Sequence, residues 1–107
     1  MINMAKMPGM PGNMAGMMKQ VQKMQKEMEA SQKELDESTF VGKASDGLVE
    51  VTFTGKHVVT DIKVDPKVID PEDPDMLQDL LIMAINDGEE QIAKVTEQKL
   101  GKYAKGL

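Results

Sequence analysis

Apolar residues return along the first third of the chain at Met14, Met17, Val21, Met24, Met28 and Leu35, with Ser31 alone breaking the series. Steps of three and four make a heptad seam, narrower than the apolar stripe of an ordinary core helix. Asn13, following Pro11 and Gly12, is a good helix cap. The spacing predicts a helix from Asn13 to about Glu37, ~35 Å long at a rise of ~1.5 Å per residue. A chain of 107 residues has too little core to cover such a helix along its whole length. The pattern therefore predicts a projecting helix whose seam packs on a partner helix, the nearest candidate being that of a second copy. Upstream, Met1 to Gly12 shows no period and holds Pro8, Gly9, Pro11 and Gly12. This predicts a flexible tail over residues 1–12 and a single domain over residues 13–107.

The period then changes from helical to two. Thr39 to Ala44 reads as a short strand, Ser45-Asp46-Gly47 as a turn, and Leu48 to Thr54 as a strand with Val49, Val51 and Phe53 on one face. Gly55-Lys56-His57 predicts a hairpin loop. Val58 to Asp65 alternates again, with Val58, Ile62 and Val64 expected on one face. Three strands joined by tight turns give an antiparallel meander whose oily face needs a cover. Asp70 to Asp75 then signals a helix start, with Asp as cap, Pro in the first turn and acids near the positive helix end. Leu77, Leu80, Leu81, Ala84, Ile85, Gly88, Ile92 and Val95 follow at helical spacing, while Met76, Ile82 and Met83 make this helix apolar nearly all round. One side can cover the sheet; the other is expected at a subunit interface, with Leu77, Leu80, Leu81, Ile82, Met83, Ala84, Ile85 and Gly88 as candidates. Leu100 to Leu107, holding Gly101 and Gly106, is expected to fray. The fold class is α+β, in the order α-β-β-β-α.

Composition narrows the chemistry. There is no cysteine, which removes disulfide scaffolds, thiol catalysis and thiolate metal sites. No apolar run approaches the ~20 residues of a membrane span, and the N-terminus lacks the apolar core of a signal peptide. The expected location is the cytoplasm, with no membrane partner. The net charge of −5 is unevenly spread: residues 1–38 balance to 0, residues 39–70 to −1 and residues 71–107 to −4. All thirteen cations are lysine. Lysine suits phosphate contacts better than bidentate reading of bases, and an acidic whole confines any nucleic-acid contact to local basic segments.

Candidate sites for catalysis fall away one by one. His57, the single histidine, has no nucleophile or second ligand beside it in sequence and reads as a solvated turn residue. The adjacent acids Glu72-Asp73 and Glu89-Glu90 point apart, and no glycine-rich phosphate loop is present. Neither enzyme activity, cofactor, metal nor small-molecule substrate is expected. The methionines at positions 1, 4, 7, 10, 14, 17 and 18 invite a Cu(I) reading, since thioethers select soft ions. Methionine filling a helical seam explains them more simply. Lys19, Lys26 and Lys33 stand one heptad apart with Lys23 beside them, opposite the seam. They read either as a solvated helix face with i,i+4 pairs such as Lys23 to Glu27, or as a row of phosphate contacts ~10 Å apart.

Four segments together resemble the YbaB/EbfC family of bacterial nucleoid-associated proteins. These are Met17 to Gln25 (MMKQVQKMQ), Gly42 to Val51 (GKASDGLVEV), Gly55 to Asp65 (GKHVVTDIKVD) and Leu77 to Asp87 (LQDLLIMAIND). The resemblance covers residues 14 to about 100. It implies a tweezer-like homodimer with projecting first helices, DNA binding with little sequence preference, and a part in nucleoid organisation and gene expression. It brings no catalytic residues. Lys19, Lys23, Lys26 and Lys33 become the candidate DNA contacts, with Lys6, Lys102 and Lys105 as helpers. A protein-interaction adaptor using the Met-rich surface, with no nucleic-acid role, is the alternative that the negative charge supports. Whether the first helices of a dimer pair or stand apart is left open.

Overall fold

A computed structural model describes residues 9–105, with side chains over residues 14–104. The first helix, α1, spans Gly9–Glu37. It starts four residues before the expected cap because Pro11 falls in its first turn, where its missing N–H costs no hydrogen bond. Strands β1 (Thr39–Ala44), β2 (Val49–Thr54) and β3 (Val59–Val64) form one antiparallel sheet in the order β1-β2-β3. The second helix, α2, spans Pro74–Lys105. This is the α-β-β-β-α order read from the sequence.

Phe40, Gly42 and Ala44 of β1 lie opposite Phe53, Val51 and Val49 of β2 and share one face. α2 lies over this face, closest to β1 and β2. The core so formed contains Phe40, Ala44, Val49, Val51, Phe53, Leu80, Ala84 and Ile92. Helix and sheet approach closely because both sides are thin at one point. A Cβ on Gly42 would run into the Ala84 carbonyl oxygen and the Gly88 backbone, and a Cβ on Gly88 would strike the Phe53 ring. The glycine penalty in mid-helix is thus offset by the packing of a fully buried aromatic ring. α2 also closes the outer edge of β1: Asp87 Oδ2 accepts from the Lys43 amide at 2.8 Å, and Gln91 Nε2 donates to the Val41 carbonyl at 2.9 Å. Edge groups that would otherwise template further strands are satisfied there.

Two details differ from the sequence pattern. The pairing of β2 with β3 slips between Thr52 and Phe53, so Thr60 is an extra residue. The bulge turns Val59, rather than Val58, onto the face of Ile62 and Val64, because one inserted residue inverts the alternation beyond it. The end of α2 also does not fray at Leu100: the helix continues to Lys105, and Tyr103 is only 7% exposed. Tyr103 shares a groove with Met24 and Glu27, and Leu100 shares another with Met28. Contact with α1 outweighs the helix-weakening Gly101. The half of the α1 seam nearer the sheet is therefore covered in part by the same chain's last helix.

α2 starts at Pro74 with Asp73 as its cap, the Asp73 carboxylate accepting from the Met76 amide at 3.3 Å. α1 ends where Ser38 turns back on it: the Ser38 amide donates to Leu35 O and its hydroxyl to Glu34 O. Leu35, 2% exposed, anchors that end in the core.

Candidate nucleic-acid interface

α1 and the second half of α2 run side by side and antiparallel, forming an arm that leaves the sheet. At ~100° per residue, Lys19, Lys23, Lys26 and Lys33 fall in a band of roughly 80°, and Lys19 to Lys33 spans ~21 Å. All four are exposed. The seam that faces α2 at Met24, Met28 and Leu35 lies on the opposite side, so packing the arm turns the lysines outward. Among the described residues, none of the four has a carboxylate within ion-pair distance. The pair expected between Lys23 and Glu27 is not formed.

Lys102 is exposed on α2, its Nζ 5.1 Å from the Tyr103 ring centroid, and it lines one groove together with Lys23. The last helix thus brings a cation to the lysine band that spacing within α1 could not reveal. Lys94 is a further exposed arm cation that the sequence reading passed over, having no heptad-spaced partner. Lys99 is engaged differently: its Nζ bonds Glu34 Oε1 at 2.6 Å and ties the two helices together. That bond and the nearby ammonium charge hold the Glu34 carboxyl below its ordinary value. Lys6 lies outside the described residues, as does the side chain of Lys105.

Charge is segregated along the molecule. Residues 9–26 carry three lysines and no acid, whereas residues 65–79 carry six acids and one lysine. Three of those acids serve the backbone locally: Asp65, Asp70 and Asp73 accept from the amides of Lys67, Glu72 and Met76. A polyanion is attracted to the tip of the arm and repelled from the start of α2.

The α2 residues expected at a subunit contact divide into two sets. Leu80, Ala84 and Gly88 are buried under the chain's own sheet and Leu77 and Leu81 pack on the same core, so these are core residues. Ile82, Met83 and Ile85 are exposed. Asp87 and Gln91 define the flank of α2 that meets β1, so by helical spacing Ile82 and Ile85 lie on the other flank, toward β3. Val59 and Ile62, on the apolar face of β3, are exposed as well, because α2 stops short of that strand. His57 lies on this side too. It is an exposed turn residue, as expected, with φ +67°, and its Nδ1, 2.6 Å from Glu89 Oε2, links the β2–β3 hairpin to α2.

A family model for the YbaB/EbfC DNA-binding family matches residues 10–107. The chain belongs to the YbaB/EbfC DNA-binding family. A nucleoid-associated protein of Lactobacillus delbrueckii subsp. bulgaricus is 47% identical over 97% of this chain and 99% of its own length. One from Lactobacillus helveticus is 57% identical over 68 residues, 64% of this chain and 61% of that protein. An uncharacterised Helicobacter pylori protein has the same fold by crystal structure, with a TM-score of 0.59 and 21% identity over 89% of this chain and 92% of that one. The YbaB/EbfC family is a DNA-binding one rather than an enzyme family.

Proposed function

We propose that this protein binds DNA through the phosphate backbone, with Lys19, Lys23, Lys26 and Lys33 as principal contacts and Lys102 beside them. The observation that carries this reading is the lysine band itself: four exposed ammonium groups, unpaired among the described residues, on an arm without acids at its tip. Ammonium groups on flexible stems meet phosphates without selecting bases, so binding has little sequence preference. Such a protein contributes to nucleoid organisation and gene regulation, and it acts in the cytoplasm on the nucleoid. Among the described residues no helix is long and apolar enough to cross a membrane.

The binding unit in this reading is a homodimer. The exposed strip of Val59, Ile62, Ile82 and Ile85 is the surface that supports it, since it continues the core beyond the edge of α2. Two arms then stand on one body and can grip one duplex. Sedimentation at micromolar concentration is expected to give twice the 11.8 kDa chain mass; a folded monomer would remove this part of the reading.

The competing adaptor reading is favoured by one observation, the exposed methionines of α1. Titration of a fluorescent duplex at low and moderate salt separates the two. Binding at low salt that weakens steeply with added salt supports DNA binding. The absence of binding even at low salt supports the adaptor.

A further inference from the structure

Packing in a helical seam gives a methionine enough to do, and it accounts for Met24 and Met28, which are 38% and 39% exposed beside α2. It does not account for the three methionines nearer the tip whose side chains are described. Met14, Met17 and Met18 are 60%, 65% and 61% exposed, and α2 does not cover them. Met18 is not a seam residue at all: it lies about 40° to one side of Met14, and Met17 about 60° to the other, at ~100° per residue.

Positions i, i+3 and i+4 are surface neighbours on a helix, with Cβ atoms ~5–6 Å apart. Long helical side chains lean back toward the N-terminus. The thioethers of Met17 and Met18 therefore lean over the turn that carries Met14. Each side chain is unbranched and flexible, so three sulfur atoms can close on one ion without moving the backbone. The surroundings choose the kind of ion. No carboxylate or imidazole occurs before Glu27, so nothing at the tip suits Mg²⁺, Ca²⁺ or Zn²⁺. The chain has no cysteine to take a soft ion elsewhere. His57 lies in the hairpin that abuts the other end of α1, where the Gly55 amide donates to Ser38 O.

We infer that Met14, Met17 and Met18 form a three-thioether site for a soft monovalent cation, Cu(I) or its redox-inert counterpart Ag(I). The site faces away from the lysine band, so ion and DNA draw on different side chains.

The test is a titration of the full-length chain, carrying ¹³C-methyl methionine, with silver nitrate in chloride-free buffer, followed by NMR. Single Leu substitutions assign the methyl signals. The methyls of Met14, Met17 and Met18 are expected to shift together and saturate at one ion per chain. Met83, 51% exposed with no methionine three or four residues away, is the internal control and should not move in that step. The variant combining Met14→Leu, Met17→Leu and Met18→Leu keeps three good helix formers. It should retain its circular dichroism spectrum and DNA titration and lose the one-equivalent step. Three results would overturn the site: no shift at a tenfold excess of silver, Met83 moving in parallel with the three, or unchanged silver uptake by the triple variant.

Discussion

The two halves of α1 carry the same heptad seam and meet different fates. Near the sheet, Leu35 is 2% exposed, and Met28 and Met24 are partly covered by α2. Near the tip, Val21, Met17 and Met14 are 53%, 65% and 60% exposed. Nothing in the spacing distinguishes the halves. The difference is contact with α2, whose Leu100 and Tyr103 share grooves with Met28 and Met24. The inner half is thus structural, and the outer half is free for contact with other molecules.

The largest expected effects fall on the inner half and the body. Leu35→Ala should destabilise by about 2–5 kcal/mol, the cost of emptying a well-packed leucine site. Met17→Ala, in the same seam, should stay within about 0.5 kcal/mol, as exposed substitutions do. Equal losses in urea denaturation would erase the contrast between the halves. Gly42→Ala should be comparably damaging, because its methyl meets helix backbone at Ala84 and Gly88 and backbone cannot step aside.

Tyr103→Ala sharpens the boundary. It should cost about 1–2 kcal/mol, with faster amide exchange confined to residues 96–105 and the facing stretch of α1. Exchange that quickens equally through the β-strands would mean that the arm and the body unfold as one unit.

The smallest effect concerns the Lys99–Glu34 tie. The folded state holds the Glu34 carboxyl below its ordinary value, chiefly through the hydrogen bond from Lys99. The unfolded chain therefore binds the proton more readily. The stabilisation is fully present above the ordinary carboxylate range and is lost as pH falls through the lowered folded value. Glu34 is exposed and screened by solvent, so the change is small. Glu34→Gln should flatten the thermal stability profile slightly on the acid side and leave it parallel to wild type near neutrality.

Local patterns made much of this legible in the sequence. Period-two runs marked β2 and β3, β-branched and aromatic residues marked β1, and the Asp and Pro residues before α2 marked its start. The lysine band could be read from heptad spacing alone. What the sequence withheld depends on contacts between distant segments. The bulge at Thr60 arises from pairing with β2, and it exchanges Val58 for Val59 on the apolar face. The persistence of α2 past Gly101 depends on α1 accepting Tyr103. The division of α2 into core and exposed sets depends on how far it slides over the sheet: Asp87 and Gln91 fix it at β1 and leave β3 bare. Lys102 joins Lys23 only because the two helices run antiparallel.

In the proposed function the lysines of the arm hold DNA phosphates. The most direct measurement compares wild type with the variant carrying Lys19→Gln, Lys23→Gln, Lys26→Gln and Lys33→Gln. DNA affinity is titrated across a range of salt for both proteins. Each phosphate contact contributes about −0.9 to the slope of log affinity against log salt. The variant is expected to bind more weakly at low salt, with a slope shallower by about 3–4 for each protomer engaged. A slope equal to that of wild type, in a variant with unchanged stability, would place the DNA on another surface.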